Sequence, residues 1–246
     1  MSIVLSAPIT SQPGGGYTFL QLAQRVRQEC RVTGTGPSSV INQNAELTRI
    51  LTWTNEASME IQRSNPKWNF LRGSCSVTTQ AGKTTYSAAD FGLTDWGSWA
   101  LDYDSGDTFR NYNTSAGLNS EVPMSPIDYD NWRNTYLFGA ARATFTRPIV
   151  VAQAPDNSLA FGPITAAGYT IIGEYYKAPQ DLILSTDTPL IPPQFQMAVV
   201  FKAMQYYGAS EAASEVFDIG ARQFAIIHRA LVNHQLPRYR LAGALC

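Results

Sequence analysis

The spacing of apolar residues predicts two amphipathic helices in the first third of the chain. In the second of these helices, apolar or small side chains recur at three- and four-residue steps, which places them on one stripe. The stripe consists of Leu47, Ile50, Leu51, Thr54, Ala57, Ser58 and Ile61. Asn65-Pro66 ends this helix, because Pro disfavours helical geometry in the residue before it. The side chains of Trp68, Phe70 and Leu71 are predicted to fold back as a bulky plug.

The first helix is predicted to begin at Thr18. Thr18 and Gln21 form a capping-box pattern, in which each side chain satisfies the free backbone amide of the other residue. The predicted apolar face consists of Phe19, Leu22, Ala23, Val26 and Cys30. Residues 1–17 contain Pro8, Pro13 and a run of three glycines, so they are expected to form an extended arm.

The pattern changes to short β-strands after Gly73. Segments rich in Thr, Tyr, Val and Ile alternate with Gly, Asp, Asn and Pro, which predicts six to eight strands. The segments are SCSVTTQ, TTYS, WGSWALDY, TFRNYN, ATFTRPIVVA, SLAFG and GYTIIGEYY. Between them, Ser125-Pro126 fits a helix N-cap followed by Pro at the first helical position. Residues 127–136 are therefore predicted to form a short helix with Tyr129, Trp132 and Tyr136 on one side.

Two further helices are predicted near the C-terminus, separated at Gly208 and ended by Pro237. Helices joined by short loops pack antiparallel, so the fold class predicted is α+β, with an antiparallel four-helix bundle that carries a central β-rich insert. The predicted division is an extended arm (1–17), the first half of the bundle (18–72), the β-rich insert (73–188), the second half of the bundle (189–235) and a C-terminal docking arm (236–246).

Composition indicates an assembling protein more than a nucleic-acid binder. Charged residues make up 15% of the 246 residues, whereas roughly a quarter is usual in globular proteins. The net charge is -1. Low charge is typical of subunit interfaces, although a neutral β-rich surface would have the same composition. The N-terminus lacks the features of a signal peptide. No apolar run is long enough to span a membrane, so no membrane is predicted among the partners.

Candidate catalytic and metal motifs are all incomplete. Residues 81–84, AGKT, match the end of a phosphate-binding loop, but Val77 stands where that motif requires Gly. Asp102, Asp104 and Asp107 resemble a calcium loop without its Gly and Glu positions. A hairpin turn and a solvated loop are the favoured interpretations.

The remaining reactive side chains do not form a recognisable site. His228 and His234 are six residues apart, which does not suit a shared zinc ion. The cysteines are Cys30, Cys75 and Cys246, an odd number without metal-ligand spacing. The pair of Glu121 and Asp128 is unsupported as a glycosidase site. We therefore predict no catalytic residue, no metal and no cofactor.

Arginines form two groups, Arg142 with Arg147 and, later in the chain, Arg229 with Arg238 and Arg240. With Tyr239, the later group suits either nucleic acid or an acidic protein patch. A protein partner is favoured because leucines interleave with the charges; these are Leu236, Leu241 and Leu245.

Several short segments, taken in their order, resemble the adaptor, or head-to-tail connector, proteins of the neck of tailed bacteriophages. The segments are 53–57 (WTNEA), 68–71 (WNFL), Ser125-Pro126 with Tyr129 and Trp132, Leu159 with Phe161 and Pro163, 175–177 (YYK) with Pro179 and Leu182, and 187–192 (DTPLIP).

The resemblance implies a structural virion protein, assembled in the host cytoplasm and located at the head-tail junction. Such proteins form a ring, usually of twelve copies, that binds the portal protein and extends the channel through which dsDNA passes without sequence-specific binding. It also implies a tail or neck protein as the next partner. In the family a C-terminal arm docks on the portal, which here points to Arg238, Tyr239, Arg240, Leu241 and Leu245. The alternatives are a lower-neck stopper or tail-completion protein, and a tail-associated cell-wall hydrolase.

Overall fold

A computed structural model describes residues 15–101 and 108–236. Residues 1–14 of the expected extended arm (1–17), the three aspartates at 102–107 and the predicted docking residues 238–245 lie outside them. The chain divides into two compact units. We call residues 72–178 the β unit, and the residues before 72 and after 178 the helical unit.

The described residues contain five α-helices and nine β-strands, which confirms the α+β class. The helices are α1 (Phe19–Glu29), α2 (Ala45–Arg63), α3 (Tyr129–Tyr136), α4 (Met197–Ser210) and α5 (Ser214–Gln235). The strands are β1 (Arg72–Thr78), β2 (Thr85–Tyr86), β3 (Trp96–Trp99), β4 (Arg110–Asn113), β5 (Val122–Pro123), β6 (Ser125–Pro126), β7 (Val150–Gln153), β8 (Leu159–Gly162) and β9 (Tyr169–Lys177).

Helix α1 begins where its capping box predicts. The Thr18 hydroxyl accepts a hydrogen bond from the Gln21 amide at 3.3 Å, and Gln21 Oε1 accepts one from the Thr18 amide at 2.9 Å. Two of the four free amides at the helix start are thereby satisfied. All five residues of the predicted apolar face are buried.

Helix α2 begins after Asn44, whose side chain accepts a hydrogen bond from the Leu47 amide at 2.9 Å. Its predicted stripe is buried except for Leu47, which is half-buried. The predicted plug is confirmed at Trp68, which is fully buried and donates through Nε1 to the carbonyl oxygen of Ile61 at 3.0 Å. Burial of such a side chain contributes roughly 1.5–3 kcal/mol.

The C-terminal helices differ in how deeply they are buried. Helix α4 contacts α1, α2 and α5, and one side of it is fully buried through Ala198, Val199, Val200 and Ala203. Helix α5 packs mainly along α4, and only Gly220, Leu231 and Gln235 of its 22 residues are buried. The helical unit is therefore centred on α4.

The β unit contains two sheets. The first has the order β1-β9-β4-β5, with β3 also paired to β9, and the second has the order β2-β8-β7-β6. Every pairing is antiparallel except that of β6 with β7. The main core of this unit includes Tyr86, Trp99, Phe109, Phe161 and Ile171. Arg72 pairs with Tyr176, so the chain enters and leaves the β unit on neighbouring strands.

The structure corrects the prediction for Ser125-Pro126. These residues do not cap a helix; they form β6, parallel to β7. The amides of Ser125 and Ile127 donate to β7 or its flank, at 3.0 and 2.8 Å. Pro126 lies between them, where its missing N–H would face away from β7, so the strand loses no hydrogen bond. Helix α3 starts later, after Asp128, whose carboxylate accepts from the Asp130 amide at 3.0 Å.

The strand count is also higher than the six to eight expected, because β5 and β6 contain two residues each and carry no alternating pattern. The short helix itself is confirmed as α3. It buries Trp132 and leaves Tyr129 and Tyr136 half-buried.

Candidate assembly surfaces

The side chains with catalytic potential are used for packing. Burial raises the pKa of Cys30 to about 12, and the nearby charge of Glu29 adds to this effect. Burial also raises the pKa of Cys75 to about 12. A thiol with such a pKa is protonated at neutral pH and is a poor nucleophile. Among residues 15–101 and 108–236, no three His, Cys, Asp or Glu side chains form a group that could hold a metal ion.

Residues 81–84, which match the end of a phosphate-binding loop, form a turn. Lys83 Nζ lies 2.5 Å from Asp90 Oδ1 and 4.8 Å from the centre of the Tyr86 ring. The following residues form β2 rather than the helix whose N-terminus would hold a phosphate. The Lys83 ammonium, followed by the hydrogen bonds from Ser87, lowers the pKa of Asp90 below its ordinary value, although burial opposes the shift.

The histidines are not brought to one site. His228 lies 5.1 Å, centroid to centroid, from Phe224 and 6.1 Å from Trp68. Burial, with a smaller contribution from Lys202, lowers the pKa of His228 and favours the neutral ring. His234 instead meets Phe195 edge to face.

The proposed carboxylate pair has other partners. Glu121 lies 3.6 Å from Arg110, and Asp128 caps α3. Of the arginines singled out in the sequence, Arg147 is bound inside the β unit, where it donates to Asn111 Oδ1 at 2.6 Å. Arg142 and Arg229 are exposed.

Gln196 connects the residues just before α1 to the segment just before α4. Its Oε1 accepts from the Tyr17 amide at 2.6 Å, and its Nε2 donates to the carbonyl oxygen of Ile191 at 3.0 Å. A Cβ on Gly16 would lie 2.5 Å from Nε2, so only Gly fits there without a shift. The side chain is buried and satisfied on both of its polar atoms.

A turn with exposed apolar side chains, residues 183–187, precedes α4. Asp187 accepts through Oδ2 from the amides of Ile183 and Leu184, at 2.8 and 2.7 Å. The same segment is fixed to α1, because the Phe19 amide donates to the Asp187 carbonyl oxygen at 2.7 Å. This rigid turn exposes 66% of Ile183 and 61% of Leu184.

Other exposed apolar side chains lie on α5 and in the β unit. On α5 they are Phe217 and Ile226. In the β unit they include Phe138, Phe145 and Ile149. Adjacent exposed apolar residues such as Ile183 and Leu184 are candidates for a contact surface, whereas single ones are common on monomeric proteins. These residues, and not a catalytic constellation, are the candidate functional features.

The model of the SU10 adaptor protein family matches residues 17–240 of this chain. The chain belongs to the SU10 adaptor protein family. The match covers residues of both the helical and the β unit, and it confirms the resemblance to bacteriophage adaptor proteins. This adaptor is accordingly a structural virion component.

Two further comparisons add no functional detail. No curated protein sequence matches the adaptor. A chain from the solved structure described as "Neck of empty GTA particle computed with C6 symmetry" is 15% identical to it over 81% of each chain, with a TM-score of 0.25. A likeness at this TM-score supports no argument about fold or function.

Sequence reasoning identified none of the exposed apolar residues described above. Exposed Ile183, Leu184 and Ile226 look like core residues in a sequence, because residue type alone does not show which apolar side chains stay uncovered. No described helix of the adaptor combines the length and apolarity that crossing a membrane requires.

Proposed function

We propose that the protein forms a ring, of about twelve copies as the family resemblance implies, between the portal vertex and the next tail or neck protein. The ring extends the channel through which dsDNA passes. The observation that carries this proposal is the adaptor-family match over residues 17–240. Assembly takes place in the host cytoplasm before the particle is complete.

The properties of the described residues support a docking role without catalysis. Cys30, Cys75 and His228 are used in packing, and several large apolar side chains, among them Ile183 and Leu184, are uncovered. A charge content of 15% suits a subunit with large lateral contacts, and a net charge of -1 suits a channel wall that does not retain DNA.

The helical unit and the C-terminal arm are proposed to bind the portal, with α1, α2, α4 and α5 acting as one antiparallel bundle. The arm, residues 236–246, contributes Arg238, Tyr239, Arg240, Leu241 and Leu245. Two arginines beside leucines suit an acidic patch with apolar surroundings. The β-rich insert is proposed to meet the tail-side partner.

Light scattering of the purified protein, alone and mixed with portal, tests this function. We expect a mass near 27 kDa alone and a ring only with portal. A monomer that ignores portal and binds a tail-tube protein would instead indicate the lower-neck stopper or tail-completion role. Clearing of cell walls by the protein would indicate the hydrolase.

The role of the arm is tested by the double variant Arg238→Glu with Arg240→Glu. Reversal of two charges is expected to abolish portal binding while the circular dichroism spectrum and unfolding midpoint stay unchanged. The matched control is Arg133→Glu with Arg142→Glu, which makes the same change in net charge within the β unit, outside the proposed portal contact. Portal binding by the arm variant would remove the arm from the interface.

A further inference from the structure

Strand β1 is an open edge of the first sheet. Among the described residues it pairs only with β9, and β3 and β4 pair with β9 on its other side. The Thr79 amide donates to the Tyr169 carbonyl oxygen at 2.8 Å, directly after the last pair of the β1 register.

Antiparallel pairing alternates, so every second residue from Thr79 directs its backbone groups to β9. These residues are Gly73, Cys75 and Val77. The backbone N–H and C=O groups of Ser74, Ser76 and Thr78 therefore point away from the sheet. An independent contact agrees: Glu174, which lies opposite Ser74, accepts on the far side of β9 from the Ala100 amide at 3.1 Å.

Nothing in the described residues covers this edge. Ser74, Ser76 and Thr78 are exposed, and no described residue hydrogen-bonds to their outward backbone groups. The strand is seven residues long and contains no Pro. Its one charged residue, Arg72, stands at its start and is paired with Glu174. An edge of this length without such protection is a template for another strand.

The N-terminal residues have the composition of such a strand. Residues 1–14, MSIVLSAPITSQPG, carry no charged side chain, and residues 2–7 contain Ile3, Val4 and Leu5 before Pro8. β-Branched and apolar residues favour strands, and Pro ends them. The sixteen residues before Tyr17, which is fixed on Gln196, reach at most about 53–58 Å. A six-residue strand uses about 20 Å of that reach.

We propose that residues 2–7 of one copy add as a strand to the open edge of β1 in a neighbouring copy. This proposal rests on the proposed ring. Donor segment and acceptor edge are different surfaces, so the contact is heterologous and propagates around a ring. Pairing of one β1 edge with another β1 edge would be isologous and would stop at a dimer.

The two faces of the edge suit the alternation of the segment. Cys75 and Val77 lie on the core face, whereas Ser74 and Ser76 lie on the solvent face. A strand that places Ile3 and Leu5 on the core face places Ser2 and Ser6 beside the serines of β1. Main-chain hydrogen bonds then provide affinity, and the alternating side chains provide register.

Disulfide trapping in the full-length protein tests the contact. All proteins carry Cys246→Ser. One preparation also carries Leu5→Cys or Ser6→Cys, because consecutive side chains of a strand lie on opposite faces of the sheet. The other carries Ser74→Cys, Ser76→Cys or Thr78→Cys. Cysteines pair only when their Cα atoms lie within about 7 Å. After mixing with portal and mild oxidation, we expect at least about ten times more cross-linked dimer than with Asn134→Cys, an exposed control position on α3.

Hydrogen exchange gives a second measurement. The outward amides of Ser74, Ser76 and Thr78 are expected to exchange at least about ten times more slowly in rings than in the free protein. Ser76→Pro removes an outward N–H but no hydrogen bond to β9, so it should keep the unfolding midpoint and lose this protection. Ser76→Ala keeps the N–H and should keep the protection.

The outcomes separate the two proposals. Rings that form on portal without cross-linking at any edge position, and without added protection of the Ser74, Ser76 and Thr78 amides, overturn the strand contact and leave the proposed function intact. If the unmodified protein forms no ring, the proposed function fails and the strand contact fails with it.

Discussion

At the scale of single residues, Gln196 has the most structural consequences. It accepts from the Tyr17 amide and donates to the carbonyl oxygens of Ile191 and, at 3.4 Å, Pro189. A buried amide with partners on two separate segments connects the start of α1 to the start of α4. Removal of a buried hydrogen-bonding group leaves its former partners unsatisfied, which costs more than the bond itself contributes.

Gln196→Ala is therefore expected to lower the free energy of unfolding by about 2–4 kcal/mol, measured by urea denaturation. Gln194→Ala, two residues earlier and exposed, is the matched control and should change it by less than about 0.5 kcal/mol. Equal effects of the two substitutions would contradict the role assigned to Gln196.

The sequence could not indicate Gln196, because its partner Tyr17 is 179 residues away. The Thr18–Gln21 capping box was predictable, since both partners lie within one helical turn. The exposed apolar residues, like Gln196, could not be identified from the sequence. Ile183 and Leu184 become recognisable only when the structure shows that no described residue of the helical unit covers them.

At the scale of secondary structure, the same difference separates helices from strands. Helices α1 and α2 follow from a period that runs over many residues, so their apolar faces were predicted almost completely. Strands β5 and β6 contain two residues each and exist because a neighbouring strand provides hydrogen bonds. No local pattern could predict these strands. Pro126 favoured the start of a helix, whereas the residue lies in β6.

Strand β9 carries a prediction at this scale. It pairs with three strands, and at its centre Gly173 lies against the buried ring of Phe109, where a Cβ would approach Cε1 to 2.1 Å. Gly173→Ala is expected to destabilise the protein by about 1–3 kcal/mol through overpacking, measured as the loss in free energy of unfolding.

The second-site variant Phe109→Leu serves as the control for this mechanism. It makes room for the added methyl group, so the cost of Gly173→Ala should be smaller in the Phe109→Leu background than in the native background. Additive effects of the two substitutions would show that the cost of Gly173→Ala has another origin.

At the scale of the whole molecule, the division into two units is testable by excision. Replacement of residues 72–178 by a short Gly-Asn-Gly turn is expected to leave a helical unit that unfolds cooperatively, because residues after the insert bind α2 directly. The Leu182 amide donates to Asn55 Oδ1 at 2.9 Å, and the Gln180 amide donates to Gln62 Oε1 at 2.9 Å.

Residues 72–178 expressed alone are expected to unfold cooperatively as well, because they contain their own core and both sheets. Circular dichroism with thermal unfolding measures both fragments. The portal-binding assay then assigns the portal contact to one of them. A helical fragment without cooperative unfolding would show that the insert is required for the helices to fold.

The adjacency of Arg72 and Tyr176 has an evolutionary consequence. A segment whose two ends are neighbours can grow, shrink or be exchanged without changing the distance that the host structure must span. The entropy cost of bringing β1 and β9 together depends only weakly on the number of residues between the two strands. The β unit can therefore be inherited as an interchangeable cassette, so that related particles can acquire a different insert by recombination while the helices around it continue to fold in the same way.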